Sequence, residues 1–390
     1  MIYAKFMPGR KLDYASRNKR ELQAAYECGY QVLVISSDDN QLFSEKYPNY
    51  SLVSDCCSTN VTYDMPRIER YVKILWGYFL IIRNIRQFRV DVMSCHDIDS
   101  LFLAWFAYFF RVKKPLLIYD SHEFEIGRNI TRNIVQRWWV LHLERFLIKR
   151  CAFSIMVNDA IADEVQKIHS LKNRPVVVKS TPFHWTIDKQ ECLTKRNEVL
   201  SMINNPQPTL LMYHGLIMKG RGLEMMLDVV KKNTTTCALI LGNDEDNQIE
   251  KLKKMALALG VSERILFLPA VPVEQLWKYV GAADIGMVTV PAVSKSYFYM
   301  LPNKFFENIQ SETPVICSDF PAIAPIVKKY NIGLTCDPLD VDAINSCIIK
   351  MQCDKDLYRT FKKNLKKAKE ELCWENEKQV LIQAFKKYLD

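Results

Sequence analysis

Four titratable side chains crowd one short stretch, "LLIYDSHEFE", in which Asp120, His122, Glu123 and Glu125 close an apolar run. A second stretch, "CHDIDS", places His96, Asp97 and Asp99 after another apolar run. A carboxylate beside an imidazole can hold, orient or move a proton, so one of these clusters is expected to act in catalysis. A lone histidine reads as packing. Two acid–histidine clusters, each behind its own strand, are harder to explain that way. "DID" and "DED" (Asp244–Asp246) also have the acid-x-acid spacing of a cation site, and the second reads as a solvated loop.

Two further stretches suit an anion. In "YHGLIMKGRGLEMMLDVV", Gly215, Gly220 and Gly222 loosen a strand-to-helix turn, and Lys219 and Arg221 add two cations. Exposed amides at a helix start, with cations beside them, fit a phosphate or diphosphate. The alternative is a Gly-rich turn with solvent-facing basic residues. In "YFYMLPNKFFENI", Pro302 pre-sets a helix start that Asn303 can cap. Lys304 then lies in the first turn, where a cation opposes the helix dipole unless an anion is near. Glu307 follows three residues later, able to accept from the vicinal hydroxyls of a ribose or to pair with Lys304. Together the two stretches point to a sugar nucleotide with a diphosphate. There is no Walker pattern and no G-x-G-x-x-G behind the first strand.

These residues need elements that bring them to one edge. Buried strands are predicted at Tyr30–Ser36, Val90–Cys95, Pro115–Asp120, Phe153–Asn158 and Pro175–Ser180. A second set is predicted at Thr209–Gly215, Cys237–Asn243, Arg264–Pro269, Ala283–Val290, Thr313–Asp319 and Ile332–Asp337. Helical stretches such as Arg17–Gly29 separate them, and strand–helix alternation means a parallel sheet covered on both faces. The fold class is therefore α/β, with two doubly wound Rossmann-like domains facing a central cleft. The expected division is residues 1–185 for a first domain, 186–208 for a linker ending in "NNPQP", 209–372 for a second domain, and 373–390 for a C-terminal helix. Ligands of such sheets sit beyond the carboxyl ends of the strands.

A chain of 390 residues with 49% hydrophobic and 25% charged residues is globular in composition. The runs "ILWGYFLII" and "LFLAWFAYFF" reach about half of the ~20 residues that a spanning helix needs, and read as buried helices. The first residues lack a secretory pattern, so the chain is expected in the cytoplasm with its 12 cysteines reduced, Cys56-Cys57 being the one close pair. The first 185 residues hold 26 Lys and Arg against 19 Asp and Glu. That surplus suits an anionic partner or membrane surface, or is a solvated face. No stretch mixes basic and aromatic residues densely enough for a nucleic-acid groove.

The segments "DVMSCHDIDS", "LLIYDSHEFE", "SIMVND", "YHGLIMKGRGLE", "ADIGMVTVP", "LPNKFFENIQSETPVICSDFP" and "CWENEKQVL" together resemble the retaining GT-B glycosyltransferases of family 4. The resemblance implies that residues 209–372 are a nucleotide-sugar domain, that residues 1–185 are an acceptor domain, and that 373–390 is a helix crossing back to the first domain. Lys219, Arg221, Lys304 and the Gly215 turn would take the diphosphate, and Glu307 the ribose. His122 resembles the family's active-site histidine, with Asp97 and Glu123 as further catalytic or acceptor-contact candidates. The chain departs where the family has the first of two glutamates eight positions apart, since Tyr299 stands there. Contacts to the donor sugar then fall to Tyr299, Met300, Leu301 and Asn303.

By this resemblance the reaction is sugar transfer with retention. No metal or other cofactor is implied, because Lys, Arg and helix dipoles take the metal's place. The expected donor is a UDP-sugar in preference to a GDP-sugar. The expected acceptor is a glycan or lipid-linked saccharide in surface polysaccharide synthesis. The basic first half and "RNIVQRWWVLHLERFLIKR" (Arg132–Arg150) allow peripheral contact with an anionic membrane on its inner face, or an amphipathic helix packed on its own sheet. Two alternatives remain: an epimerase or hydrolase of sugar nucleotides on the same fold, and an inactive nucleotide-sugar binding subunit.

Overall fold

The computed structural model describes residues 1–54, 65–128 and 133–389, so Cys56, Cys57, Arg132 and Asp390 lie outside the described residues. The chain divides into two units, Met1–Lys179 with Lys378–Asp390, and Ser180–Glu377.

The first unit is built on seven strands: β1 Ile2–Phe6, β2 Gln31–Ile35, β3 Tyr50–Val53, β4 Val92–Cys95, β5 Leu116–Ser121, β6 Phe153–Met156 and β7 Val176–Val177. Their order is β3-β2-β1-β4-β5-β6-β7, with every pairing parallel. β1 and β3 are not apparent from the sequence pattern. The central strand β1 carries Lys5 within "IYAKF", and that lysine is fully buried, so a charge interrupts the apolar signal. β3 is an edge strand with only partial burial.

The second unit has six parallel strands: β8 Thr209–His214, β9 Thr236–Leu241, β10 Ile265–Leu268, β11 Ile285–Val288, β12 Val315–Ser318 and β13 Gly333–Cys336. Their order is β10-β9-β8-β11-β12-β13. Every residue of β8 is buried. Leu211 and Tyr213 pack with Ile240, Leu223 and Ile344, whereas Leu210 and Met212 pack with Val199, Ile203 and Leu276. Both faces of this sheet are therefore covered, as continuous apolar strands require.

The stretch expected as a linker, 186–208, holds the helix Lys189–Met202, and the division places it within the second unit. It buries only Cys192 and Val199 along its length, which is why its sequence reads as polar. The helix Arg67–Ile85 is only partly buried, although its apolar run suggests more: Leu75, Trp76 and Phe79 are exposed, whereas Ile81 and Ile85 are buried. The helix Ile98–Tyr108 does bury Leu101, Leu103, Ala104 and Ala107. At the C-terminus, helices Lys355–Glu371 and Trp374–Tyr388 meet at a break at Leu372-Cys373. Phe385 packs on Tyr3 in the first unit, with ring centroids 5.4 Å apart.

Doubly wound sheets bind ligands where the strand order reverses. That point lies between β1 and β4 in the first unit and between β8 and β11 in the second.

Candidate functional site

In the second unit, β8 ends at His214 and the chain turns at Gly215, whose φ is +118°. A Cβ there would stand 3.8 Å from Lys304 Cε. The turn closes at Gly222, with φ +80°, where a Cβ would meet the Thr289 carbonyl at 2.1 Å. Only glycine fits that close approach, and the helix Leu223–Lys232 starts from it. Arg221 lies over the Tyr297 ring, 5.1 Å from its centroid, and its Nε has no hydrogen-bond partner among the described residues. Lys219 is exposed.

The helix Asn303–Gln310 brings the second group of residues. Pro302 takes the N-cap position without a side-chain hydrogen bond, and Asn303 is the first helical residue, so the expected Asn303 cap does not form. Nor do Lys304 and Glu307 pair. Glu307 Oε2 instead lies 2.9 Å from His214 Nε2. Lys304 turns inward, its Nζ 3.6 Å from the Tyr213 ring centroid and without a hydrogen-bond partner among the described residues. Burial, then the neighbouring Arg221, pulls this ammonium well below the usual lysine range, against the pull of Glu307. Buried polar groups are almost always satisfied, so an unbonded buried ammonium is a strained feature that an anion would relieve. Tyr299 ends the preceding helix Lys295–Phe298, Met300 is half-buried and Leu301 is buried.

In the first unit, the ends of the neighbouring strands β4 and β5 bring the two acid–histidine clusters together. The His96 and His122 rings lie 6.1 Å apart. His122 Nε2 is 3.0 Å from Asp120 Oδ2. Asp120 is buried and gripped by Arg17, whose Nη2 stands 2.7 Å from Oδ1, with Lys5 Nζ at 3.5 Å. Lys5 also donates to Glu21 at 2.5 Å and to Ser94 at 3.1 Å. Burial holds the His122 imidazole down to about 4, although Asp120 pulls the other way. A neutral His122 that donates from Nε2 to Asp120 leaves Nδ1 as an open acceptor.

Asp97 has structural work as well. Its carboxylate accepts from the Ser100 amide at 2.8 Å, forming a capping box at the start of the helix Ile98–Tyr108. Its other oxygen lies 2.9 Å from His96 Nε2. Although burial raises its pKa, His96 and the Ser100 amide outweigh that and hold Asp97 low. Glu123 stays half-exposed and pairs with Arg128 at 3.2 Å. Among the described residues, no group of three or more His, Cys, Asp and Glu side chains could hold a metal ion.

A model of the family described as "Glycosyl transferases group 1" matches residues 198–368, and one described as "Glycosyltransferase Family 4" matches residues 19–181. The chain belongs to the group 1 glycosyltransferases. A D-inositol 3-phosphate glycosyltransferase of Nocardia farcinica is 33% identical to it over 99 residues, which is 25% of this chain and only 21% of that relative. Among solved structures, Anabaena HepE in complex with UDP and glucose is similar with a TM-score of 0.76 at 12% identity, over 99% of this chain and 100% of that one. Sucrose-phosphate synthase from Thermosynechococcus elongatus matches with a TM-score of 0.76 at 15% identity, over 100% of this chain and 99% of that one. At such identities the structural likeness shows the GT-B fold, two parallel-sheet Rossmann-like domains.

In this group 1 glycosyltransferase, the residues singled out by sequence fall into two sets. Gly215, Arg221, Lys304 and Glu307 converge on the end of β8; His96, Asp97, Asp120 and His122 converge on the ends of β4 and β5. Sequence reasoning missed His214, Tyr213 and Tyr297 in the first set, and Lys5, Arg17 and Glu21 in the second. The "YH" before Gly215 was a usable signal, because it ends a buried strand where ligands bind. Lys5 and Arg17 offered none, since only folding brings them to Asp120.

Proposed function

We propose that this group 1 glycosyltransferase moves a sugar from a nucleotide-diphosphate sugar, UDP in preference to GDP, to a glycan or lipid-linked saccharide in surface polysaccharide synthesis, with retention at the anomeric carbon. The observation that carries the reading is the unbonded, buried Lys304 ammonium beside the Gly215 turn, with Arg221 near it and the Glu307 carboxylate one turn on. UDP is favoured because structures of the similar Anabaena HepE hold UDP, UDP with glucose, and UDP-glucose.

In this reading Lys304 and Arg221, helped by the exposed Lys219 and the amides after Gly215, take the diphosphate. Glu307, oriented by His214, accepts from the ribose hydroxyls. Tyr299, the backbone of Met300 and Leu301, and Asn303 border the donor sugar. As the bond from the anomeric carbon to the diphosphate breaks, its electron pair leaves on a phosphate oxygen whose charge the two cations stabilise. The acceptor hydroxyl enters on the same face and its proton passes to that oxygen. Charge is balanced by side chains, so the step is metal-independent. His122 Nδ1 is an acceptor for a hydroxyl of the transferred sugar, and Asp97 and Glu123 are the acceptor-side candidates.

Peripheral contact with an anionic membrane is part of the proposal. The helix Arg67–Ile85 packs on Ile98–Tyr108, which packs on Ile134–Ile148. These helices and the residues just after them expose Trp76, Phe79, Phe110, Trp138 and Trp139. Lys114 and Arg150 lie over the Phe109 and Phe146 rings, 5.1 and 3.4 Å from the centroids. An aromatic patch fringed by cations matches an anionic headgroup layer. Among the described residues no helix is long and apolar enough to cross a membrane.

The test is incubation with UDP-sugars, alone and with lipid-linked saccharides, followed by proton NMR of the products. Transfer predicts a glycoside of unchanged anomeric configuration and only slow donor hydrolysis without acceptor. A new sugar nucleotide from donor alone would instead support an epimerase, and an inverted product would overturn retention.

A further inference from the structure

We propose a second anion site in the second unit, at the edge of the sheet opposite the donor turn, taking a ligand that carries several phosphates. A cavity of about 640 Å³ opens between the helices Lys189–Met202 and Lys355–Glu371. Ala282 to Asp284 and Ser311 to Glu312 form its floor, just ahead of β11 and β12. It therefore lies at the amino ends of strands, whereas Gly215 follows the carboxyl end of β8. Its volume is in the range of ligand pockets, roughly 300–1,000 Å³.

The lining is strongly cationic: Lys189, Arg196, Arg359, Lys362, Lys363 and Lys366. Two carboxylates line it too, and both are already engaged. Asp284 takes Arg196 at 2.8 Å and the Leu210 amide at 2.7 Å. Glu312 stands 3.6 Å from Lys369. Lys189, Lys363 and Lys366 have no ion-pair partner among the described residues. Arg359, Lys362, Lys363 and Lys366 recur at three- and four-residue spacings on one helix, an arrangement in which like charges repel. Lys362 reaches over the floor, where it donates to the Glu312 carbonyl at 2.5 Å; burial lowers its pKa although Glu312 and Asp284 pull the other way.

Arg359 is engaged by Asp356 at 3.1 Å, which leaves the ammonium groups of Lys189, Lys363 and Lys366, unpaired among the described residues, around a ligand-sized cavity. Spaced cations of this kind fit spaced negative charges, and phosphate is the anion that lysines meet as point charges. Among the described residues Tyr358 is the one aromatic of the lining, so the cavity is built for charge and not for a stacked base.

The full chain is titrated with inorganic tripolyphosphate and, separately, with UDP, using the wild type, Lys304→Met, and the double variant Lys363→Glu/Lys366→Glu. Both glutamates replace exposed residues, so folding is preserved, which circular dichroism checks. The proposal predicts tripolyphosphate binding that survives Lys304→Met and weakens at least about tenfold in the double variant, with a steep salt dependence. UDP binding at the donor turn should be unchanged in the double variant. Equal tripolyphosphate affinity in the wild type and the double variant, loss on Lys304→Met alone, or no binding at low salt would each overturn it. A second UDP equivalent lost in the double variant would identify a nucleotide diphosphate as the source of the phosphates; its absence would leave a phosphorylated saccharide or polyphosphate as the source.

Discussion

His214 and Glu307 are 93 residues apart in sequence, yet His214 Nε2 lies 2.9 Å from Glu307 Oε2. The histidine ends β8 and is almost wholly buried, whereas the carboxylate keeps 18% of its surface. One oxygen of Glu307 is thus fixed by the sheet while the group still reaches solvent. A carboxylate held this way is pre-oriented for a diol.

Replacing His214 with Phe should therefore weaken UDP without unfolding the protein. A hydrogen bond to a charged group contributes about 1.5–3 kcal/mol, so a loss of roughly tenfold or more is expected. Calorimetry on the variant checks this, and an unchanged affinity would mean that Glu307 needs no orientation.

Lys304→Met should separate stability from binding. The wild-type fold holds an ammonium that is buried and unbonded, and an unsatisfied buried group costs about 1–3 kcal/mol. The variant is expected to be more stable by about that amount in urea and to lose most of its nucleotide affinity. The pH dependence has a definite sign. Folding lowers the Lys304 pKa from the ordinary 10.5, so below that value the unfolded chain keeps a proton the fold tends to release. Wild-type stability from this group rises with pH toward 10.5, and Lys304→Met should remove that rise.

His122 gives a second signature, at the acid end. Its imidazole titrates near 4 in the fold and near 6.5 when unfolded. Between these values the unfolded state binds the extra proton, so the His122 contribution is intact above about 6.5 and is lost as pH falls toward 4. His122→Gln should flatten that part of the stability curve relative to the wild type. Parallel curves would show that His122 titrates normally.

The exposed aromatic face predicts binding to vesicles containing anionic lipid, weakened by salt. Trp76→Ser with Trp138→Ser should reduce it about tenfold or more while leaving nucleotide affinity unchanged, because both side chains are over half exposed and lie in the other unit from Lys304. Sedimentation with neutral and anionic vesicles reads the difference. Equal binding of the variant and wild type would remove the face from the account.

Much of the fold was legible because fully buried parallel strands announce themselves as short apolar runs, as at Leu116–Ser121 and Thr209–His214. β1 was not, since the lysine within it is neutralised only by Glu21 and Asp120 after folding. The helix Lys189–Met202 was hidden by the few positions it buries. At the site, the glycines of "YHGLIMKGRGLE" were readable as the tight strand-to-helix turn that follows β8. The partner of Glu307 was not, because local spacing suggested Lys304, and only the β8–helix packing turns that lysine toward Tyr213.

The most direct test of the account is calorimetric titration of UDP, GDP and ADP, with EDTA present, into the wild type and Glu307→Ala. The account predicts metal-free binding of UDP ahead of the other two, weakened at least about tenfold by the substitution as the ribose hydroxyls lose their acceptor. Binding of none of the three, or UDP affinity indifferent to Glu307→Ala, would contradict the donor site placed at the end of β8.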